Sequence, residues 1–203
     1  MSTKAILAQE TPDSALLKLL QGNLRFLNHQ HTYRDFMQEV DEAKEEQYPF
    51  AIILGCIDSR VPVEILFDQG IGDLFVTRTA GNIVNPDILG GMEYACGVVG
   101  SKLVMVLGHE SCGAVKAACD DIKIGYITEI VRKLKPSIDL IDVSQPISSQ
   151  DVDCVNKIAK TNVNLTIENI RNQSEILRKL EEEGKIKIVG AYYHLQSGKV
   201  EIM

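Results

Sequence analysis

The sequence predicts an α/β domain in which helices flank a mostly parallel central sheet. Three apolar stretches predict the strands, namely "FAIILGC" (50–56), "DLFVTRTAG" (73–81) and "KLVMVLGH" (102–109). Each stretch is apolar on both faces, which is typical of parallel strands covered by helices. Helix-compatible segments separate the stretches. This alternation favours an open sheet with right-handed crossovers, in which sites form where the strands end.

Helices are predicted before and between these strands. Residues 14–28 carry leucines at helical spacing, and residues 34–47 form a second, more polar helix. After the first strand, Pro62 suits the first turn of a helix in "VPVEILFDQ". Gly100 ends a further helix-compatible stretch that begins at Asp87.

The C-terminal part adds a long polar helical segment and two final strands. Residues 148–183 have helical character, and "KIKIVGAYYHLQSGKVEIM" then predicts a strand, a turn at Ser197 and Gly198, and a short last strand. Residues 1–203 contain no internal repeat, low-complexity tract or linker. We therefore expect a single domain over the whole chain.

Composition excludes several classes of function. The 203 residues are 45% hydrophobic and include 21 basic and 28 acidic side chains, for a net charge of -7. This balance argues against nucleic acid or an anionic membrane as the main partner. The sequence has neither a secretory leader nor an apolar stretch of membrane-spanning length, so we expect a soluble, cytoplasmic protein. Its five cysteines are an odd number, which favours reduced thiols, some of them available to a metal.

Residue types that bind metals follow two of the predicted strands. Cys56 comes directly after the first strand in "GCIDSRVP", and His109 and Cys112 follow the third in "GHESCGAV". Neighbouring parallel strands lie roughly 5 Å apart, so these side chains can converge at one edge of the sheet. Two thiolates and an imidazole are the ligand set of a zinc site with an open fourth position. The ligand types argue against magnesium or calcium and leave copper and iron as alternatives.

The same residues have a structural interpretation. A single cysteine behind an apolar strand is typical of a packed core thiol, and we assign Cys96, Cys119 and Cys154 to the core or the surface. Asp58 and Arg60 stand beside the first thiol, and their presence favours a functional site over a structural one. The glycine motifs of nucleotide binding do not occur in the sequence.

Three motifs occur together between residues 47 and 118: "CIDSR", "LFVTRTAGN" and "GHESCG". In this combination the sequence resembles the β-class carbonic anhydrases. The resemblance implies a zinc enzyme, a lyase that interconverts carbon dioxide and bicarbonate, with one Zn2+ per chain. The implied zinc ligands are Cys56, His109 and Cys112. The implied catalytic dyad is Asp58 with Arg60.

The resemblance also implies a substrate pocket and an assembly. Gln47 matches a glutamine that hydrogen-bonds substrate, and Gly113 matches a glycine whose backbone N–H contacts it. The implied apolar wall consists of Phe75, Ala80 and Tyr94. Family members build their sites at a dimer interface, with N-terminal helices reaching over the partner subunit. We therefore expect a homodimer or a dimer-based tetramer, in which residues 1–46 form a helical arm and residues 47–203 form the α/β core.

A physical role for the dyad agrees with this resemblance. Two thiolates place more negative charge on zinc than neutral imidazoles do, which makes a bound water less acidic. Asp58 can accept a hydrogen bond from the zinc-bound hydroxide and aim it at carbon dioxide. A bidentate contact from Arg60 would keep the carboxylate ionised and fixed.

One departure from the family concerns regulation. A subgroup closes its site by moving the aspartate onto zinc, with bicarbonate held in a side pocket that includes a tryptophan three residues before the first cysteine. Ile53 occupies that position, and the chain has no Trp. Arg78 matches another residue of that pocket. We predict a permanently open site, in which Asp58 would be a zinc ligand only in a closed, inactive form.

Two other functions fit these residues. One is a zinc-stabilised regulatory or interaction module without activity, which would not need the Asp58 and Arg60 pair. The other is the hydrolysis of carbon disulfide or carbonyl sulfide, related linear molecules open to the same hydroxide attack. Metal-dependent hydration of carbon dioxide and competition assays distinguish these alternatives.

Overall fold

Five strands form one sheet in the computed structural model, which describes residues 3–142 and 146–203. They are β1 (Ala51–Gly55), β2 (Leu74–Arg78), β3 (Leu103–His109), β4 (Lys187–Tyr193) and β5 (Val200–Ile202). The order across the sheet is β2-β1-β3-β4-β5. Strands β1 to β4 run parallel, and β5 pairs antiparallel with β4. The prediction of a mostly parallel sheet is confirmed.

Helices flank this sheet. They are α1 (Lys4–Gln9), α2 (Pro12–Leu27), α3 (Phe36–Ala43), α4 (Val63–Leu66), α5 (Pro86–Glu93), α6 (Gly113–Cys119), α7 (Ile127–Asp139), α8 (Val152–Gln173) and α9 (Glu175–Glu182). A short 3-10 turn covers Ala80–Asn82, and a π-helical turn, Tyr94–Val99, follows α5. None of the helices in the described ranges has the length and apolarity that crossing a bilayer requires.

The helices differ from the prediction in two places. The helical segment predicted over residues 148–183 is divided at Ser174, whose hydroxyl accepts a hydrogen bond from the N–H of Leu177 and caps α9. Helix α7 (Ile127–Asp139) was not predicted. Its sequence "ITEIVRKL" nevertheless has apolar residues at the spacing of one helix face.

Strands β1 and β3 form the buried centre of the sheet. Every residue of both strands is buried, as expected of parallel strands with helices on both faces. β2 differs from the prediction, because residues 74–77 are only half-buried and Arg78 is exposed. This strand lies at an edge of the sheet. Its apolar composition predicted a covered strand, but the single chain leaves one side of it without a neighbouring strand.

Helix α2 packs against the core of its own chain. Leu19 is buried in the same apolar cluster as Phe67. At Gly22 the helix approaches the backbone so closely that a Cβ would lie 1.7 Å from the Phe67 carbonyl oxygen. The reach of residues 1–46 over a partner subunit stays a prediction, and residues 1 and 2 of that arm lie outside the described residues.

The predicted site lies where two central strands end. β1 and β3 are direct neighbours in the sheet. Cys56 follows the last residue of β1, and His109 is the last residue of β3. The two sets of predicted ligands therefore lie at the same edge of the sheet, where parallel strands end.

Candidate metal centre and adjoining cleft

Three side chains converge at this edge of the sheet. One ligand atom each from Cys56, His109 and Cys112 lies within 4.8 Å of the other two, and all three residues are buried. The two sulfur atoms are 3.9 Å apart. A disulfide needs an S–S distance of about 2.0 Å, whereas two thiolates on one tetrahedral zinc are about 3.8 Å apart. The spacing therefore fits metal ligation.

Local backbone geometry brings Cys112 to this position. His109 ends β3, and Cys112 is the residue directly before α6, with extended φ and ψ of -60° and 120°. Between them Ser111 adopts a left-handed conformation, with φ of 51°. Non-glycine residues rarely adopt this conformation. The sharp turn lets two residues only three positions apart face the same point.

The backbone carbonyl group of Glu110 orients the His109 side chain for metal binding. Its Nδ1 lies 2.9 Å from the carbonyl oxygen of Glu110. Because a carbonyl only accepts, Nδ1 carries the proton and Nε2 keeps its lone pair. His109 Nε2 is buried and has no hydrogen-bond partner among the described residues. An unpartnered buried nitrogen beside two thiols fits the binding of a metal ion such as zinc.

The two thiols affect each other's ionisation. A hydrogen bond from Cys112 holds the pKa of Cys56 well below its usual range, and the N–H of Gly81 acts in the same direction from 3.4 Å. The neighbouring Cys56 thiolate, together with burial, raises the pKa of Cys112. Without a metal, the two thiols therefore favour a single negative charge between them. A bound cation would stabilise the second thiolate.

Asp58 and Arg60 form a bidentate ion pair beside the thiols. Arg60 Nε lies 2.9 Å from Oδ1 and Nη2 lies 2.7 Å from Oδ2 of Asp58. The backbone N–H of Arg60 also donates to Oδ1, at 2.9 Å. These hydrogen bonds, chiefly those from the Arg60 side chain, lower the pKa of Asp58 to about 2. The carboxylate is therefore ionised and held in one orientation at neutral pH.

Arg78 fixes the backbone of the same segment. Its Nε donates to the carbonyl oxygen of Cys56 at 2.7 Å, and its Nη2 donates to that of Asp58 at 2.5 Å. The sequence indicated Arg78 only as a match to a regulatory pocket. Its role in holding the segment depends on the register of β1 with β2, which places Gly55 beside Arg78.

A largely apolar cleft of about 360 Å³ opens onto the candidate metal centre formed by Cys56, His109 and Cys112. Its lining includes Cys56, Asp58, and two residues predicted for the substrate pocket, Ala80 and Gly113. The remaining wall consists of Ile57, Ala114, Ala117, Ile127, Ile130 and Val131. Sequence analysis missed the contribution of α7 to this wall. The apolar spacing within α7 is the signal that would have identified it as a packed helix.

Three other predicted pocket residues lie elsewhere in the single chain. Gln47 and Tyr94 line a separate surface cleft with Val98 and Lys102. Phe75, on the edge strand β2, contacts Tyr94 edge-on, with ring centroids 6.2 Å apart. The single chain does not bring these residues to the metal centre, so their contact with substrate stays a prediction.

The remaining cysteines lie outside the three-residue centre. All of them are free thiols. Cys96 and Cys154 are buried, and Cys119 is half-buried at the end of α6. Burial raises the pKa of Cys96 to about 12 and that of Cys119 to about 11. Their positions agree with the assignment to the core and the surface.

The sequence is similar to known proteins over most of its length. A family model described as "Carbonic anhydrase" matches residues 51–200. The chain is 37% identical over 197 residues to a carbonic anhydrase of Mycolicibacterium smegmatis, covering 94% of this chain and 93% of that protein. It is 36% identical over 195 residues to carbonic anhydrase 2 of Mycobacterium tuberculosis, covering 93% and 91%.

Solved structures share the fold. A Coccomyxa β-carbonic anhydrase in complex with acetazolamide has a TM-score of 0.72 and 25% identity, over 82% of this chain and 77% of that chain. One of two tetrameric β-carbonic anhydrases of Sordaria macrospora has a TM-score of 0.70 and 24% identity, over 83% and 85%. The protein therefore belongs to the β-carbonic anhydrase family.

Proposed function

We propose that the protein catalyses the reversible hydration of carbon dioxide at one zinc ion per chain, held by Cys56, His109 and Cys112. This proposal rests on Nε2 of His109, which has no hydrogen-bond partner among the described residues. The nitrogen is buried beside two thiols at one end of an apolar cleft. When bound, zinc supplies a Lewis acid that makes water a nucleophile at neutral pH.

Asp58 and Arg60 would orient that nucleophile. The Asp58 carboxylate lines the cleft beside Cys56. Oδ1 accepts two hydrogen bonds from Arg60, whereas Oδ2 accepts one and keeps acceptor capacity, so the carboxylate is able to accept a hydrogen bond from the nucleophile and set its direction. The low pKa of Asp58 keeps it an acceptor over the working pH range. Arg60 restrains the carboxylate and does not touch substrate.

The cleft suits a small apolar substrate. Ala80, Ile127 and Ile130 line it, and carbon dioxide has no net dipole that such a wall would leave unsolvated. Gly113 is the first residue of α6, where a backbone N–H has no partner within the helix. We assign this N–H to contact with a substrate oxygen.

A stopped-flow hydration assay on zinc-loaded and zinc-stripped protein tests the proposal. We expect the zinc-loaded protein to hydrate carbon dioxide and the stripped protein to lose this activity and regain it with zinc. Purified protein should contain about one zinc per chain. Bound zinc without hydration would instead favour the inactive regulatory module. Faster turnover of carbonyl sulfide or carbon disulfide, with carbon dioxide only as a competitor, would favour the hydrolase.

We further propose that the single domain, with its arm over residues 1–46, assembles as a homodimer or a dimer-based tetramer. The edge strand β2 is half-buried in the single chain, and nearby Tyr94 and Val98 are 52% and 73% exposed. Across a dimer interface, Gln47, Phe75 and Tyr94 would complete the cleft of the partner subunit. Sedimentation equilibrium tests the assembly, and a fully active monomer would contradict it.

The site should remain open at all working pH values. Arg60 holds both carboxylate oxygens of Asp58, and Arg78 is occupied by two backbone carbonyls. Ile53 is fully buried within β1 and offers no hydrogen-bond donor to an anion. These contacts oppose both the movement of Asp58 toward the metal and the binding of bicarbonate beside it.

We therefore expect the hydration rate to rise gradually with pH, and bicarbonate to act only as a competing product. The pKa of Asp58 is lowered, so its ionised form is lost only as pH falls toward about 2, and its titration does not contribute near neutrality. Initial rates between pH 6 and 9, with and without bicarbonate, measure this. A steep, cooperative loss that bicarbonate deepens would disprove the open site, as would a crystal structure near pH 7 with Asp58 on zinc.

A further inference from the structure

Helix α8 contacts two loops at the metal centre: the turn between His109 and Cys112, and the turn at Gly81 that contacts Cys56. Asn162 bonds to Gly81, whose N–H donates to the sulfur of Cys56, and Asn156 bonds to Ser111, which precedes Cys112. We propose that these two asparagines are positioning residues for the metal centre, and that Asn162 also tunes the charge of the Cys56 thiolate. This inference rests on the metal centre of the proposed function.

Asn162 restrains Gly81 from one side while Cys56 binds it from the other. Asn162 Nδ2 donates to the carbonyl oxygen of Gly81 at 2.8 Å, and Asn162 is only 4% exposed. Gly81 N lies 3.4 Å from Cys56 Sγ. Since a carbonyl oxygen can only accept, the amide nitrogen of Asn162, and not its oxygen, must face Gly81, which fixes the orientation of the amide. The two bonds flank a single residue and together set the direction of its N–H.

Gly81 needs such a restraint because its conformation favours glycine, the most flexible residue. Its φ is +70°, in the left-handed region, and a Cβ would lie 3.1 Å from the two terminal carbons of Leu134. Glycine adopts this conformation without strain but has the largest backbone freedom of any residue. The amide of Asn162 removes that freedom at the position where an N–H must point at a thiolate.

The N–H···S hydrogen bond matters chemically because the centre contains two thiolates. Each thiolate donates negative charge to a bound cation and makes it a weaker Lewis acid. A hydrogen bond to the sulfur draws part of that charge back. Partners of this kind, one bond away from the metal ligands, tune both affinity and reactivity. Asn162 therefore acts on the metal through Gly81 and Cys56, without touching it.

Asn156 acts on the turn between His109 and Cys112. Its Oδ1 accepts a hydrogen bond from the N–H of Ser111 at 2.9 Å. Ser111 has the unusual φ of 51° that turns the chain between His109 and Cys112. This conformation is strained for a non-glycine residue. The bond from Asn156 stabilises it and thereby fixes the spacing of the two ligands.

Packing alone does not explain the polar residues on this face of α8. The other buried side chains between residues 154 and 163 are mostly aliphatic: Val155, Ile158, Ala159 and Val163. Burying an amide costs free energy unless it is hydrogen-bonded. An apolar residue would pack at position 162 without that cost, so the amide is retained for the bond that it makes.

The first experiment compares Asn162→Leu with Thr166→Val. Leucine has the same number and branching of side-chain heavy atoms as asparagine but cannot donate to Gly81. Thr166 lies one turn further along α8, is 2% exposed, and lines the same surface pocket as Asn162. We expect Asn162→Leu to weaken zinc binding about tenfold in competition with a chelator and to shift the sulfur-to-metal charge-transfer band of the cobalt-loaded protein. Thr166→Val should change neither.

The second experiment uses Asn156, where an acceptor is required. Asn156→Ala should weaken zinc binding about tenfold and shift the cobalt band less than Asn162→Leu does, because no hydrogen bond to a sulfur depends on Asn156. Asn156→Asp keeps an oxygen acceptor and should restore the affinity. If either asparagine serves only in packing, its variant should have a lower melting temperature but an unchanged zinc affinity and an unchanged cobalt band. This result would overturn the inference.

A measurement on the wild-type protein covers the case in which Asn162→Leu does not fold. In protein loaded with ¹¹³Cd and labelled with ¹⁵N-glycine, the Gly81 amide proton should be shifted downfield and coupled to the metal through the N–H···S bond. No coupling would overturn the tuning role. If the wild type binds neither zinc nor cobalt, the proposed function fails with the inference. A normal wild type with unaffected variants refutes the inference alone.

Discussion

Replacing Cys112 by serine is expected to remove most of the zinc from the protein. Serine replaces a thiolate with a neutral hydroxyl, which is a far poorer ligand for zinc. Loss of residues that merely support ligands weakens metal binding by about 10–100-fold, so loss of a ligand should exceed about 100-fold. Zinc content per chain after dialysis against a weak chelator measures the effect, and hydration activity should fall with it.

Cys119→Ser is the matched control for this variant. Cys119 ends α6, the helix that directly follows Cys112, and it is half-buried outside the metal centre. The control therefore changes a nearby thiol without changing a ligand and should retain zinc. Full zinc content in Cys112→Ser would show that the ligand assignment is wrong.

The central strands of the sheet could be predicted because the patterns that indicate them are local in the sequence. β1 and β3 are continuous apolar runs, and the structure buries all of their residues. Parallel strands end at a common edge, which is why the sequence predicts that Cys56 and His109 converge. The Asp58–Arg60 pair was also visible in sequence, since two residues in one turn can contact each other wherever that turn lies.

Other features depend on pairings that no local pattern encodes. β2 has the composition of a covered strand, and only the sheet order makes it an edge. Arg78 reaches Cys56 and Asp58 through the register between β2 and β1. The contacts of Asn162 with Gly81 join positions 81 residues apart. The predicted pocket residues Gln47, Phe75 and Tyr94 lie away from the metal centre in the single chain, so their contact with substrate stays a prediction.

Charge organisation at the centre links the fold to the chemistry. The Cys56–Cys112 pair favours one negative charge in the protein alone, so binding of a dication releases a proton and stabilises both thiolates. Asp58 adds a third nearby negative charge, but Arg60 pairs with it directly. In the proposed function the guanidinium would have two effects: it would keep the carboxylate from competing as a metal ligand, and it would keep the carboxylate available as an acceptor.

Arg60→Ala is expected to lower hydration activity by about 100-fold while zinc stays bound. The substitution leaves Cys56, His109 and Cys112 unchanged. It removes both side-chain hydrogen bonds to Asp58, so the pKa of Asp58 should rise toward its ordinary value and the carboxylate becomes free to turn toward the metal. Arg60→Lys should fall between wild type and alanine, because an ammonium cannot make the bidentate contact.

Stopped-flow rates and zinc content measured on the same preparations separate the two effects. Arg132→Ala is the control, since Arg132 is 72% exposed and pairs only with Glu129 of its own helix among the described residues; it should keep both activity and zinc. Loss of zinc from Arg60→Ala would mean that Arg60 supports the ligands and not the carboxylate. A hydration rate equal to that of the wild type would refute the dyad. The expected combination, full zinc with little activity, follows only if Arg60 acts by holding Asp58 in place.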